Sequence, residues 1–282
     1  MSAIRLDGKI AIVTGATKGI GRAITMALAQ AGATIVGAAR DGGPAHEVAE
    51  EVKRAGGSFT FVTADVSSWE DCQRLAKTAL ADHGRVDILV NNAGTSLPQV
   101  RVDKLSEADW RAVIGVTLDG VAFMSRAVLP SMIDNRDGVI INIASTAGVQ
   151  TAGTMGAYAA AKAGVIQLTK VIAVENVQNG VRANALLVGS TDTELRRKAQ
   201  RSFADSARLA EARPPPTGRH HGSAPGDLLM SPEAVARAVR LLCSDDAREI
   251  NGAAIAIDRA LLAGFGHQIL IEAVANGLLA VA

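Results

Sequence analysis

An apolar segment that runs straight into a glycine-rich turn constrains the fold of this chain more than any other feature. Residues 9–13 read Lys-Ile-Ala-Ile-Val, without polar alternation, as expected for a strand covered on both faces. A turn containing Gly15, Gly19 and Gly21 follows, and residues 22–31 have helical composition. Such a turn lets the backbone approach a phosphate, and the helix N-terminus presents N–H groups to the anion. The residues expected to bind a nucleotide there are Gly15, Thr17, Lys18, Gly19, Ile20 and Gly21.

Strand-like and helix-like segments alternate along most of the remaining chain. Further apolar, strand-like runs lie at residues 34–39, 58–63, 88–90, 139–143, 181–188 and 253–257. Alternation of this kind predicts an α/β fold with a parallel sheet covered by helices. The length of 282 residues and the 48% hydrophobic content suit one large domain, so residues 1–282 are interpreted as a single unit.

The end of the second predicted strand bears on the identity of the nucleotide. Nucleotide-binding folds often carry an acidic residue there, which binds the ribose 2′-hydroxyl. This chain has Ala39 at that point, followed by Arg40, while Lys18 lies in the glycine turn. The two cations favour a 2′-phosphate, and therefore NADP(H) over NAD(H). The alternative is that both are ordinary surface cations.

The single tyrosine of the chain, Tyr158, precedes Lys162 by four residues in an alanine-rich run that favours helix. Residues four apart share a helix face, so the phenol and the ammonium can approach the same point. A phenol with a pKa of about 10 is a poor acid or base at neutral pH, and we expect the ammonium to lower that pKa. Ser145 follows an apolar run and offers a hydroxyl to the same substrate oxygen. These are the candidate catalytic residues; the alternative is a surface lysine lying over an aromatic ring.

Several motifs occur in one order at compatible spacings. They are Thr14-Gly15-x-x-x-Gly19-x-Gly21, Asp65-Val66, Asn91-Asn92-Ala93-Gly94, Ser145 and Tyr158-x-x-x-Lys162. Together they resemble the short-chain dehydrogenase/reductase family over about residues 6–258. The resemblance implies a doubly wound, Rossmann-type parallel sheet of strand order 3-2-1-4-5-6-7, flanked by helices on both faces. It also implies hydride transfer with a nicotinamide cofactor.

The same resemblance implies roles for individual residues. Tyr158 would protonate the substrate oxygen, Lys162 would also bind the nicotinamide ribose, and Ser145 would polarise the carbonyl. Asp65 would meet the adenine, although it could equally cap a helix. The cofactor contacts that the family pattern implies beyond the glycine turn are Asp65, Val66, Asn92, Ala93, Gly94, Tyr158, Lys162, Gly189, Thr191 and Thr193.

Three positions depart from the family's pattern. Thr117 stands where the family usually has an asparagine that holds a water in a proton relay to the lysine. Val188 replaces the proline that usually follows the sixth strand, which predicts a more mobile loop. Arg259 and Ala260 replace the two glycines that usually follow the aspartate after the last strand.

Composition argues against several classes of partner. The formal charge of +1 and the 3% aromatic content give no reason to expect nucleic acid or an acidic membrane. The two cysteines have no metal-ligand spacing, and His220 and His221 are interpreted as solvated loop residues, so no metal is expected. The polar N-terminus lacks the apolar core of a signal peptide, and we expect a soluble cytoplasmic protein.

The C-terminal part of the chain is harder to interpret. Residues 191–230 combine a charged helical segment with a proline-rich stretch, which suits either a mobile lid over the substrate or a disordered surface loop. Residues 259–282 form an apolar tail for which we favour a subunit contact in a homo-oligomer (dimer or tetramer). Packing on its own domain is the next alternative, and membrane association is the least favoured.

The sequence thus predicts an NADP(H)-dependent oxidoreductase that reduces a ketone or aldehyde to an alcohol, with a tyrosine as proton donor. The alternatives are an NAD-linked alcohol dehydrogenase and a cofactor-binding scaffold with low turnover. Positions beside the motifs suggest a small-molecule substrate pocket formed by Ser96, Gln150, Met155 and Leu187.

Overall fold

A single seven-stranded parallel sheet organises the chain. The computed structural model describes residues 4–96, 98–150, 153–209 and 229–263. The strand order is β3-β2-β1-β4-β5-β6-β7, which confirms the predicted order. The strands are β1 (Ile10–Thr14), β2 (Thr34–Ala39), β3 (Ser58–Thr63), β4 (Ile88–Asn91), β5 (Gly138–Ile143), β6 (Val181–Val188) and β7 (Ala254–Ile257).

Helices cover both faces of the sheet, as predicted for a doubly wound fold. They are α1 (Gly19–Gln30), α2 (Ala45–Arg54), α3 (Trp69–His83), α4 (Glu107–Ile114), α5 (Gly120–Asp134), α6 (Gly156–Asn176), α7 (Glu194–Leu209) and α8 (Pro232–Cys243). One apolar core joins the sheet to α1, α2 and α8, and a second joins it to α3, α5 and α6. Because both faces are covered, strands β1, β4 and β5 are buried along their whole length.

Successive side chains of β6 pack on opposite faces of the sheet. Leu186 packs with the core that lies beneath α1 and α8. Leu187, the next residue, packs on the opposite face with Val165 and Ile166 of α6. Successive side chains of a strand point to opposite faces, so one residue of difference decides which layer a side chain stabilises.

The helical region that follows Ser106 is interrupted. Ser106 caps the start of α4, since its hydroxyl accepts a hydrogen bond from the Asp109 amide at 3.1 Å. Residues Gly115–Asp119 then form a π-helical segment between α4 and α5. Such segments are frequent at functional sites, and Thr117 lies within this one.

Two helical regions, Glu107–Asp134 and Gly156–Asn179, are as long and apolar as membrane spans. Their span-length windows are 39% and 44% buried within the protein, because both regions pack on the same face of the sheet and against each other. A helix in the core of a soluble protein can be as long and as apolar as a membrane-spanning helix. Their apolar character is therefore accounted for in part by packing inside the domain.

The chain turns sharply after β7. Arg259 and Ala260 both adopt left-handed backbone angles, with φ values of 52° and 63°. These are the positions where the family usually has glycine, and the left-handed region strains residues that carry a Cβ. Leu262 then packs against the core beneath α6. Most of the predicted apolar tail, residues 264–282, lies outside the described residues.

Candidate active site

The carboxyl ends of the central strands converge on one cleft, where ligands bind in open α/β sheets. The cleft encloses about 550 Å³ between the glycine turn, the end of β4, the start of α6 and helix α7. Sixteen of the predicted site residues line it: Gly15, Lys18, Gly19, Ile20, Gly21, Asn92, Ala93, Gly94, Ser96, Ser145, Met155, Tyr158, Lys162, Gly189, Thr191 and Thr193. The structure therefore brings the glycine turn and the tyrosine–lysine–serine group into one cleft.

The glycine turn is packed too tightly for larger residues. A Cβ atom on Gly21 would overlap the carbonyl oxygen of Gly15, and Gly15 and Gly19 have φ values of 65° and 52°. The N-cap of α1 is Lys18, whose side chain makes no capping hydrogen bond. The amide groups at the start of α1 therefore face the cleft without a side-chain cap, as a phosphate site requires. These features fit a dinucleotide phosphate.

Hydrogen bonds tie the glycine turn to the end of β4. The Thr14 hydroxyl accepts from the amides of Asn92 and Ala93, each at 3.0 Å. The Asn92 side chain donates back to the carbonyl of Thr14 at 2.9 Å. Thr14 was not among the predicted site residues. It is the last residue of β1 and lies next to the end of β4. It fixes the floor of the cleft.

The candidate catalytic hydroxyls lie together. Ser145 is only 8% exposed at the end of β5, where its Oγ accepts from the Ala147 amide at 3.2 Å. Ser145 also hydrogen-bonds to the Tyr158 side chain. The two hydroxyls can therefore contact one substrate oxygen, as the sequence predicts.

Lys162 is the buried cation of the site. Its side chain lies one helical turn after Tyr158 on α6 and is 4% exposed. The Nζ atom donates to the carbonyl oxygen of Ile143 at 2.5 Å and lies 5.7 Å from the centre of the Tyr158 ring. Burial lowers the pKa of Lys162 to about 8, because charged ammonium loses hydration. The alternative of a surface lysine lying over the ring is excluded.

The prediction that Lys162 lowers the pKa of Tyr158 is wrong. Burial raises the pKa of Tyr158 above its ordinary value, and the hydrogen bond with Ser145 offsets this only in part. The cause is desolvation, which disfavours the phenolate more than the neighbouring groups favour it. The ammonium is instead directed to the main chain of β5 at Ile143.

Thr117 bonds to the chain that follows β4. Its fully buried Oγ accepts from the Thr95 amide and donates to the Thr95 carbonyl, both at 3.2 Å. A Cβ on Gly94 would lie 3.7 Å from both the Thr117 Oγ and the Lys162 Nζ. Thr117, which replaces the family's asparagine, therefore holds the backbone of Thr95 in place, and with it the neighbouring Gly94 beside Lys162.

The other predicted site residues do not line the cleft: Thr17, Arg40, Asp65, Val66, Gln150 and Leu187. Leu187 was wrongly placed in the pocket, because strand alternation directs it into the core beneath α6. The backbone amide of Gln150 continues the turn by donating to the Thr146 carbonyl, and a place for its side chain in the pocket stays a prediction. Asp65 accepts from the amide and hydroxyl of Ser67 in a local turn, and the cap of α3 is Ser68 rather than Asp65.

For Thr17, Arg40, Asp65 and Val66, the cofactor contacts stay predictions. Thr17 and Val66 are buried, at 4% and 6% exposure, whereas Arg40 is exposed at the end of β2.

Helix α7 supplies cleft residues that the sequence did not reveal. Leu195, Arg196, Ala199 and Gln200 line the cleft along one side of this helix. Their contribution depends on the path of the chain after β6, which no local motif specifies. Residues 210–228 of the predicted lid, with His220 and His221, lie outside the described residues, so the lid stays a prediction.

The fold and the cleft define a class, the Rossmann-type oxidoreductases. The family model for short chain dehydrogenase matches residues 9–203, and the chain belongs to this family. It is therefore an oxidoreductase that acts on CH–OH or C=O groups, in a family that uses NAD(H) or NADP(H).

Known proteins with different substrates resemble this chain. The 3-oxoacyl-[acyl-carrier-protein] reductase FabG of Thermotoga maritima is 33% identical over 92% of this chain and 100% of its own length. The cis-4-hydroxycyclohexanecarboxylate dehydrogenase of Sinomonas cyclohexanicum is 36% identical over 89% of this chain and 95% of its own length. The crystal structure of a levodione reductase is 26% identical, covers 92% of this chain and 99% of its own, and has a TM-score of 0.82.

Proposed function

We propose that this protein reduces a ketone or aldehyde to an alcohol with NADP(H), using Tyr158 as the proton donor. The observation that carries the proposal is the meeting of Tyr158, Ser145 and Lys162 in the cleft that the glycine turn closes. A phosphate site and an acid–base group within one cavity are what dinucleotide-dependent carbonyl chemistry requires.

The cofactor would be held from both sides of the cleft. Backbone groups at Gly19 and Ile20 would receive its phosphates, and Lys162 would hydrogen-bond to the nicotinamide ribose. Gly189, Thr191 and Thr193 also line the cleft, and Thr193 lies next to Gly19. When bound, the cofactor supplies a hydride to the carbonyl carbon.

The protein's own contribution is to the carbonyl oxygen. Ser145 donates a hydrogen bond that polarises the carbonyl, and Tyr158 gives its proton as negative charge develops on the oxygen. The raised pKa of Tyr158 keeps the phenol protonated at neutral pH. A protonated phenol is the form that reduction consumes, whereas alcohol oxidation needs the phenolate.

The preference for NADP(H) follows from charge. Lys18 lines the cleft, Arg40 is exposed at the end of β2, and Ala39 offers no carboxylate to a 2′-hydroxyl. A phosphate on the ribose would meet two cations there.

The substrate is proposed to be a small molecule with limited polarity around its carbonyl. Met155, Leu195 and Ala199 supply apolar surface to the cleft, while Ser96 offers a hydroxyl. The relatives named for oxoacyl and hydroxycyclohexane substrates are consistent with a compact carbonyl or alcohol centre.

We also propose a cytoplasmic homo-oligomer. Helix α6 exposes Val171 and Val174, with exposed fractions of 42% and 76%, and Val177 follows at 56%. These three valines are spaced three residues apart and form an exposed apolar strip. Such a strip favours contact with a second copy of the chain. Sedimentation velocity of the purified protein tests this, and a monomer at micromolar concentration would refute it.

A panel of ketones and aldehydes, followed by loss of NADPH absorbance, tests the proposed activity. Turnover that depends on Tyr158 is the expected result. The second candidate, a low-turnover cofactor-binding scaffold, is motivated by Thr117 in place of the family's asparagine. Tight NADPH binding without reduction of any carbonyl would favour that candidate.

A further inference from the structure

An acidic residue stands beside the cation that would meet a ribose 2′-phosphate. The Oδ2 atom of Asp41 lies 3.9 Å from the Nζ atom of Lys18. Asp41 follows β2 by two residues, and Lys18 belongs to the glycine turn that lines the cleft. The ion pair therefore joins the two segments between which the adenosine ribose binds in this type of fold.

The position of the Asp41 carboxylate is fixed locally. Its Oδ1 atom accepts a hydrogen bond from the Gly43 amide at 3.2 Å, which leaves Oδ2 directed toward Lys18. A Cβ on the intervening Gly42 would lie 3.3 Å from the ring of Phe61 on β3, so the turn packs closely on the sheet. The hydrogen bond within the turn thus restrains the rotation of the Asp41 side chain, although that side chain is exposed.

We propose that Asp41 limits the preference of this enzyme for NADP(H) over NAD(H) by pairing with Lys18. The inference rests on the proposed dinucleotide function and identifies a specificity-determining residue for it. A 2′-phosphate must compete with the Asp41 carboxylate for the Lys18 ammonium, and it is also repelled by that carboxylate. NAD(H) carries only a hydroxyl at this point, so its affinity is nearly independent of Asp41.

The side chains of Lys18 and Asp41 are 56% and 73% exposed. Solvent therefore weakens their attraction, and a phosphate can displace the carboxylate without a large loss. Asp41 then acts as a moderate opposing charge. Its removal should strengthen NADPH binding by about two- to fivefold, the upper part of the range for one exposed charge pair.

The test uses Asp41→Asn in the full-length protein. Asparagine keeps the shape of the side chain and an oxygen that accepts from the Gly43 amide, while it removes the charge. Dissociation constants for NADPH and NADH are measured by fluorescence titration. We expect NADPH to bind about two- to fivefold more tightly and NADH to change by less than about 1.5-fold. The matched control is Asp103→Asn, an exposed carboxylate paired with Arg101 at 2.9 Å outside the cleft, which should change neither constant.

A double-mutant cycle tests whether Asp41 acts through Lys18. In a Lys18→Gln background, Asp41→Asn should give a smaller gain for NADPH, because competition for the ammonium is gone and only the direct repulsion between carboxylate and phosphate remains. An unchanged ratio of NADPH to NADH affinity in Asp41→Asn would overturn the inference, as would an equal gain with and without Lys18. Wild-type protein that binds neither dinucleotide would refute the proposed function itself, whereas binding of both with an unchanged ratio refutes only the role of Asp41.

Discussion

The Nζ atom of Lys162 lies 5.7 Å from the centre of the Tyr158 ring, one helical turn away along α6. The spacing of the two residues in the sequence is sufficient to place them on one face of the helix. The hydrogen-bond partner of the Tyr158 hydroxyl is Ser145, not Lys162. The Lys162 ammonium donates instead to the main-chain carbonyl of Ile143 on β5. In the proposed function, the arrangement separates the group that would donate a proton, Tyr158, from the group that would hold the cofactor ribose, Lys162.

Replacing Tyr158 with phenylalanine should remove the proton donor and little else. The ring keeps its packing, but no hydroxyl remains to protonate the developing alkoxide. We expect kcat for carbonyl reduction to fall by about 10²–10⁴-fold, the usual contribution of a positioned acid. NADPH affinity, measured by fluorescence titration, should change by less than about twofold because the glycine turn is untouched. A variant with near wild-type turnover would remove Tyr158 from the reaction.

The rate of reduction should depend on the ionisation of Lys162. Burial lowers its pKa to about 8, so the ammonium is lost as the pH rises through that value. We expect kcat to be level near neutral pH and to fall above about pH 8, because neutral lysine no longer attracts the ribose or the developing charge. A pH–rate profile with a neutral ketone measures this. A rate that stays level to pH 10 would show that the charge of Lys162 is not required.

The expected fall of kcat above about pH 8 should not be caused by unfolding of the protein. The folded-state pKa of Lys162 is lowered, so between about pH 8 and its unfolded value near 10.4 the unfolded chain binds more protons than the folded protein. The contribution of Lys162 to stability therefore increases with pH across that window. Circular dichroism at each pH is the control, and folded signal with lost activity separates the two effects.

Much of the fold could be predicted because its signals are local. The glycine turn after β1 and the four-residue spacing of Tyr158 and Lys162 each specify geometry within a few residues of chain. Their convergence follows from the rule that ligands bind at the carboxyl ends of parallel strands. The short-chain dehydrogenase pattern then supplied the strand order.

The features that were missed depend on contacts between distant segments. The direction of the Tyr158 pKa shift is set by burial in the assembled cleft, which spacing along a helix does not report. Ser68 rather than Asp65 caps α3, because the Asp65 carboxylate accepts from Ser67 while the Ser68 hydroxyl accepts from the Asp71 amide. The π-helical segment at residues 115–119 contains Thr117, whose partner Thr95 is 22 residues away.

Replacing Thr117 with valine should loosen the segment beside Lys162. Valine keeps the volume but removes the hydroxyl that bonds to both backbone groups of Thr95. We expect a loss of about 1–3 kcal/mol in the free energy of unfolding, measured by urea denaturation, because the hydroxyl is fully buried. We also expect lower kcat, since Gly94 lies between Thr117 and Lys162.

The matched variant is Thr117→Ser, which keeps the hydroxyl and removes a methyl group. It should retain most of the activity and lose less stability than the valine variant. Equal losses in the two variants would mean that packing of the methyl group, rather than the hydrogen bonds to Thr95, is what the site requires.

Replacing Ala260 with glycine should stabilise the turn after β7. Alanine at φ 63° is in the left-handed region, where a Cβ costs roughly 1–2 kcal/mol, while glycine loses about 0.5–1 kcal/mol more chain entropy on folding. The difference predicts a gain of about 0.5–1 kcal/mol and a Tm higher by about 1–4 °C. Ala112→Gly, at an exposed position within α4, should lower Tm because glycine is unfavourable in a helix by about 1 kcal/mol. Thermal unfolding of both variants therefore gives shifts of opposite sign, and a lower Tm for both would show that residue 260 is not strained.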